Sequence, residues 1–197
     1  MMALLRSPYF TWCLLALPSI LLMRAYFAGD LTAEELLHPT GEFSARAMIL
    51  AMFCTPLAVL WPRVKVFKSL LKRRRYIGVA AFGYAALHTG FYLIKKGNLA
   101  AVLAEALELS IWTGWVAFLI FVPLAITSND RSVKALGPRR WKALQRWVYL
   151  AAVLTAAHWL FLEYAIGPVL VHFVPLALLE VARIFKQRRV SAPAIVT

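Results

Sequence analysis

The sequence predicts an all-α membrane protein, a bundle of six transmembrane helices, and three observations support this fold class. The chain has 197 residues, of which 62% are hydrophobic. Its charged fraction is 16%, whereas soluble domains contain about 25%. The apolar residues also fall in segments close to the roughly 20 residues that cross a bilayer. The six predicted spans are 9–28, 44–61, 76–94, 110–126, 147–164 and 166–185.

These spans leave little chain for a soluble domain, so residues 1–197 are predicted to form a single transmembrane domain. The two cysteines, Cys13 and Cys54, cannot form a disulfide framework and lack metal-ligand spacing. We expect both to be core residues.

The formal net charge of +13 predicts membrane orientation. In a soluble protein such an excess would indicate nucleic-acid binding. Here the basic residues occur in short runs between apolar segments, so no nucleic acid is expected, and positive loops favour the cytoplasmic side. The acidic residues gather mainly in the other connections, so both termini are predicted to be cytoplasmic. The three basic clusters contain Arg63, Lys65, Lys68, Lys72, Arg73, Arg74 and Arg75; Arg131, Lys134, Arg139, Arg140, Lys142 and Arg146; and Arg183, Lys186, Arg188 and Arg189.

Three histidines within the predicted helices are candidate ligands, because an ionisable group inside a membrane is costly unless it is paired, hydrated or bound to something. His88, His158 and His172 each lie about six residues from the outer end of a span. At 1.5 Å per residue, all three are expected roughly 9 Å below the outer surface. Two histidines at one depth can supply both axial nitrogens of a haem iron. Hydrogen-bonded core histidines or a proton pathway are the alternatives.

Small residues on the histidine-bearing helices leave room for a macrocycle. Ala81 and Ala85 precede His88 by seven and three residues, and Ala151 and Thr155 stand in the same relation to His158. Small residues equally serve plain helix packing. Three glycines of the third span, Gly78, Gly83 and Gly90, also make that helix thinner.

Two basic residues are candidate partners of haem propionates. Lys95 follows His88 by seven residues and shares nearly the same helix face, and Arg46 lies near the outer start of the second span. Both could instead be interfacial side chains that extend toward water. His38, in the predicted outer loop, is expected to be a surface histidine.

Other functional classes find less support. A proton-coupled transporter usually carries acids inside its helices, and Glu180 alone is a poor set. A zinc site would combine histidine with cysteine or carboxylate, but both cysteines lie in the inner half. A non-redox structural membrane protein remains an alternative.

A series of short motifs runs from about residue 38 to residue 189 in a fixed order and spacing: His38-Pro39-Thr40-Gly41, Thr55-Pro56-Leu57, Arg73-Arg74-Arg75, Gly78, Leu87-His88, Thr127-Ser128, Leu136-Gly137, Trp141, Leu144, Val148-Tyr149-Leu150 and His158. In this order and spacing the chain resembles the MsrQ (YedZ) family of ferric-reductase-like transmembrane domains.

The resemblance implies an electron-transfer subunit of the bacterial inner membrane rather than the site of sulfoxide reduction. Electrons would come from the quinone pool or a cytoplasmic flavin reductase and pass to a periplasmic MsrP-like molybdopterin reductase, which repairs methionine sulfoxide. It also implies haem b, with His88 and His158 as its ligands, and FMN. A ferric-reductase-like cytochrome with another acceptor is the alternative.

One departure from the family pattern affects the cofactor prediction. The family commonly has a histidine thirteen residues before the second ligand, where this chain has Gln145. Arg74 and Arg75, at the corresponding level of the third helix, supply no ligand, which argues against a two-haem relay. His172 has no counterpart in the pattern and is kept as an alternative ligand or a hydrogen-bond partner.

Overall fold

The computed structural model describes residues 7–163 and 166–191, and their regular secondary structure is entirely helical. Eight helices occur in these ranges: α1 Pro8–Ala28, α2 Ala33–Leu60, α3 Lys65–Lys96, α4 Leu99–Glu105, α5 Leu109–Ile126, α6 Asp130–Gln145, α7 Val148–Glu163 and α8 Ile166–Ser191. This confirms the all-α prediction.

Five of the helices, α1, α2, α3, α5 and α8, are long and apolar enough to cross a membrane. The chain is therefore a multi-pass membrane protein. Helix α7 covers most of the predicted fifth span, but it has 16 residues, and residues 164–165 lie outside the described part of the chain. The count of six spans and the cytoplasmic placement of the termini stay predictions.

Helix α2 begins at Ala33, whereas the sequence predicted a span from residue 44. A capping box starts it: the Thr32 hydroxyl accepts from the backbone N–H of Glu35, and the Glu35 carboxylate accepts from the backbone N–H of Thr32. Reciprocal caps of this kind satisfy donors that a helix start leaves unpaired. The prediction that His38 lies in a loop was wrong, because this cap places it inside α2.

Helix α3 also starts earlier than its predicted span, at Lys65 rather than residue 76. Lysine and arginine are good helix formers, so the basic stretch continues the helix instead of forming a loop. The helix ends at Gly97, whose φ of 70° is the left-handed conformation that glycine adopts at low cost.

Helix α6 lies in what the sequence analysis treated as a basic connection. It is amphipathic and starts with the Asn129 side chain accepting from the backbone N–H of Ser132. It kinks at Gly137, whose φ is 74°, directly before Pro138. Trp141 Nε1 donates to the Thr127 carbonyl over 2.9 Å and thereby ties α6 to the end of α5.

The core lies where α2, α3, α5, α7 and α8 meet. The α2–α3 pair has the most extensive contact, followed by α5–α7 and α2–α8. The Ser44 hydroxyl of α2 donates to the Ala81 carbonyl of α3 over 2.9 Å. Cys54 is fully buried as expected, but Cys13 is exposed because α1 packs at the edge of the bundle. The main cluster comprises Met48, Ile49, Met52, Ala81, Phe121, Leu124, Ala151, Ala152 and Leu176.

Candidate paired-histidine site

His88 of α3 and His158 of α7 face each other inside the bundle. Their ring centroids are 6.2 Å apart, and the ring planes are nearly perpendicular, at 88°. A nitrogen bound about 2 Å from a metal puts the imidazole centroid about 3 Å from it, so two rings on opposite sides have centroids about 6 Å apart. The observed separation fits a metal held between them.

The hydrogen bonds of the two rings define which nitrogen is available. His88 Nδ1 lies 2.9 Å from the Leu37 carbonyl oxygen of α2, and His158 Nδ1 lies 2.5 Å from the Ser110 carbonyl oxygen of α5. A carbonyl only accepts, so each Nδ1 carries the proton and donates. Each Nε2 therefore has an unprotonated lone pair, the arrangement that metal-ligating histidines usually show.

A glycine lies beneath each ring. A Cβ on Gly41 would lie 3.0 Å from His88 Nδ1, and a Cβ on Gly114 would lie 2.6 Å from His158 Cε1. In both cases the glycine follows, by four residues, the residue whose carbonyl accepts from the ring. Each histidine therefore packs against an equivalent pair of groups on one neighbouring helix: a carbonyl that accepts from Nδ1 and a glycine four residues later. We call this pair the seat of the histidine; α2 provides it for His88 and α5 provides it for His158.

Neither Gly41 nor Gly114 could be identified from the sequence. The residues of a single helix do not show which of its glycines will contact a side chain from another helix. The sequence analysis considered instead three glycines of α3, Gly78, Gly83 and Gly90. A Cβ on any of these would meet nothing within 4 Å.

The paired histidines line a cavity of about 510 Å³ between α2, α3, α5 and α7, which we call the histidine cavity. Ala85 and Thr155 line it, as the small-residue pattern predicted, whereas Ala81 and Ala151 lie in the core. Its walls are mainly apolar, and its volume is that of a typical cofactor site. Apolar and aromatic lining residues include Ala45, Ile111, Trp115, Ala117, Phe118, Phe121, Trp159 and Leu162.

Charged groups line part of the histidine cavity. Lys95 Nζ lies 2.9 Å from Glu34 Oε1, and Lys96 pairs with Glu105. Both lysines line the cavity together with His88 and His158, and the pairing of Lys95 with a propionate stays a prediction.

Arg46 and His172 form a separate group outside the lining of the histidine cavity. Arg46 Nε donates to His172 Nε2 over 3.3 Å, and Arg46 also pairs with Glu42. His172 Nδ1 donates to the Pro168 carbonyl over 2.7 Å, so both ring nitrogens are engaged. Trp159, which does line the cavity, packs against the His172 ring with centroids 5.2 Å apart.

The donor set limits the kind of metal that fits. Within residues 7–163 and 166–191 no group of three His, Cys, Asp or Glu side chains could hold a metal ion. Structural zinc takes four protein ligands and catalytic zinc three. Two opposed imidazoles suit instead a metal whose remaining ligands come from a macrocycle, as in haem.

Gln145 takes part in helix contacts. Its Nε2 donates to the Leu124 carbonyl over 3.1 Å and to the Thr127 hydroxyl over 3.2 Å. It lines a second cavity of about 510 Å³ with Arg74 and Arg75. In place of an imidazole ligand, this position holds an amide that joins α6 to the end of α5.

Comparison with known proteins identifies the class. Residues 40–156 match the family described as ferric reductase like transmembrane component. The match contains His88, Gly41 and Gly114, and it ends two residues before His158.

More specific relatives share most of the chain, and all three described below are named protein-methionine-sulfoxide reductase heme-binding subunit MsrQ. The Deinococcus radiodurans protein is 35% identical over 90% of this chain and 89% of its own length. The Rhodospirillum rubrum protein is 34% identical over 81% and 77%. The protein of Enterobacter sp. strain 638 is 33% identical over 84% and 82%. The chain belongs to the MsrQ family of ferric-reductase-like transmembrane components.

Proposed function

We propose that the chain is a haem b-containing electron-transfer subunit of a methionine sulfoxide reductase system. The observation that carries this proposal is the facing pair His88 and His158, each with Nδ1 donating to a carbonyl and each resting on a glycine. The names of the relatives, which are heme-binding subunits, support the same cofactor.

His88 and His158 are the residues that would hold the haem iron, each through Nε2. Haem supplies one-electron transfer, and its potential depends on the ligands, their hydrogen bonds and burial. The carbonyls of Leu37 and Ser110 keep each Nδ1 protonated, fix the ring orientations and raise the basicity of each Nε2. Apolar walls exclude water, and Lys95 is the proposed partner of a propionate. Arg46 as a propionate partner and His172 as an alternative iron ligand have less support. The two side chains bond to each other and do not line the histidine cavity.

The proposed topology has six spans, including α7, with both termini in the cytoplasm. It rests on the basic clusters, since Arg and Lys in short loops favour that side. The histidine cavity then opens toward the periplasm of a bacterial inner membrane. Alkaline phosphatase fusions after residues 31 and 107 should be active, and fusions after residues 63 and 128 should be inactive. The reverse pattern would contradict this orientation.

The proposed partners are a quinol or a cytoplasmic flavin reductase as donor and a periplasmic MsrP-like molybdopterin reductase as acceptor. They follow from the MsrQ family and from the proposed orientation. FMN is a proposed further cofactor on the family resemblance alone. Stopped-flow oxidation of the reduced protein tests the acceptor: a molybdopterin sulfoxide reductase encoded beside the chain should oxidise it rapidly. Oxidation by ferric chelates but not by that enzyme would favour the ferric-reductase alternative.

The ligand proposal is tested by haem content. H88A and H158A should each lose most haem from the purified protein, because one remaining imidazole holds the iron weakly. H172A is the matched control, since His172 lies outside the cavity lining, and should keep its haem. Full haem content with an unchanged reduced spectrum in both H88A and H158A would overturn the assignment.

A further inference from the structure

Tyr92 lies on α3 four residues after His88, and both residues line the histidine cavity. Residues four apart share a helix face, about 6 Å apart along the axis. The Tyr92 hydroxyl oxygen is buried and has no hydrogen-bond partner in the described part of the chain. Buried polar groups are normally paired, so an unpaired hydroxyl beside a cavity indicates a partner supplied by the ligand that fills it.

Packing holds the Tyr92 ring in place. Its centroid lies 6.2 Å from that of Trp115, with the two planes at 79°. Trp115 also lines the cavity and directly follows Gly114, the glycine against His158. On the other side, Lys96 Nζ lies 5.8 Å from the Tyr92 centroid. The position of the hydroxyl is therefore set by ring contacts with α5 and within α3.

The neighbouring groups indicate which ligand atom the hydroxyl would meet. A phenol hydroxyl donates one hydrogen bond, and the bond is strong when the acceptor is an ionised carboxylate. Both lysines of this stretch are already paired, Lys95 with Glu34 and Lys96 with Glu105. Most of the remaining lining is apolar, and in such a cavity a few placed polar groups orient the ligand. A carboxylate on an otherwise apolar ligand would find an unused donor in Tyr92.

We propose that the Tyr92 hydroxyl donates a hydrogen bond to a carboxylate of the ligand in the histidine cavity. The identity of that ligand rests on the proposed function: for haem, the carboxylate is a propionate. Tyr92 is then a cofactor-binding residue that acts at the edge of the macrocycle. The sequence analysis considered charged propionate partners, Lys95 and Arg46, whereas this donor is neutral.

The variant Y92F tests the hydroxyl, because it keeps the ring that packs against Trp115 and Lys96. The full chain, stripped of haem, is titrated with haem and with iron etioporphyrin, which has the same metal but no carboxylates. The absorbance of each iron porphyrin reports binding. Y92F should bind haem about tenfold more weakly, since a hydrogen bond to a charged group is lost. Its affinity for iron etioporphyrin should equal that of the wild type.

Y76F is the matched control. It removes the same atom from the same helix, at a residue that packs against Trp12 and does not line the histidine cavity. It should bind both porphyrins as the wild type does.

Unchanged haem affinity in Y92F, or an equal loss of affinity for both porphyrins, would overturn the role of Tyr92 while the wild type still binds haem. A wild type that binds no haem would overturn the histidine assignment as well. The two failures are therefore distinguishable.

Discussion

Gly114 lies so close to His158 that a Cβ added to it would be 2.6 Å from Cε1 of the imidazole. Real Cβ atoms do not approach so near, so either the ring or α5 would have to move. The His158 ring cannot move freely, because its Nδ1 donates to the carbonyl of Ser110, which lies on α5 together with Gly114. Gly114 therefore determines where this imidazole stands.

The first prediction follows from this contact. G114A should displace the His158 ring and lower haem affinity by about tenfold or more, since a misplaced ligand can cost this much. G41A should have a smaller effect, because its Cβ would lie 3.0 Å from the ring. The measurement is haem titration of apoprotein. G83A is the control, since a Cβ there would meet nothing within 4 Å. If G114A bound haem as tightly as G83A, Gly114 would not determine the position of the His158 ring.

A second prediction concerns Lys95, which lines the histidine cavity and pairs with Glu34. A positive charge near the haem favours the reduced state, which carries one positive charge fewer. K95Q should therefore lower the midpoint potential, on the order of 30 mV for a charge about 10 Å away in a partly hydrated site. E34Q should raise it, because it removes the neutralising carboxylate. Redox titration of the haem band measures both shifts, and K68Q, on the basic half of α3, is the control. A shift of the same sign in K95Q and E34Q would be inconsistent with this role.

A third prediction concerns the stability of the α2–α3 pair. S44A removes the bond from the Ser44 hydroxyl to the Ala81 carbonyl, which crosses the helix interface. Hydrogen bonds between membrane helices contribute about 0.6 kcal/mol on average, so the free energy of unfolding should fall by about that amount. Unfolding in mixed detergent micelles measures it. S128A is the control, because the Ser128 hydroxyl donates to the Leu124 carbonyl four residues earlier in the same segment. A larger loss in S128A than in S44A would contradict the role of the Ser44 bond between the helices.

A fourth prediction concerns stoichiometry. The described residues that line the second cavity, around Gln145, Arg74 and Arg75, include no histidine or cysteine, and Gln145 bonds to the Leu124 carbonyl of α5. The purified protein should therefore contain one haem per chain. The pyridine haemochrome assay against protein concentration measures this ratio. A ratio of two would mean that a second pair of ligands exists.

The sequence predicted the features that depend on single segments. Apolar length predicted the helical class, and depth in the helices put His88, His158 and His172 at one level. The family resemblance then singled out His88 and His158 as the pair. It failed where one helix acts on another: the seats at Gly41 and Gly114 and the bond between Arg46 and His172 arise only from packing. It also began α2 and α3 too late, at residues 44 and 76 instead of Ala33 and Lys65. Hydropathy detects the membrane-spanning part of a helix, whereas the Thr32 capping box and the basic start of α3 extend these helices beyond it.

The rings of His88 and His158 are nearly perpendicular, and we propose that together they would hold one haem iron. Electron paramagnetic resonance of the oxidised, purified protein tests it directly. Two imidazoles make the iron low-spin, and perpendicular ligand planes give a strongly anisotropic low-spin signal. We expect that signal in the wild type and in H172A, and its loss in H88A and H158A. A high-spin signal in the wild type, or an unchanged low-spin signal in both H88A and H158A, would contradict it.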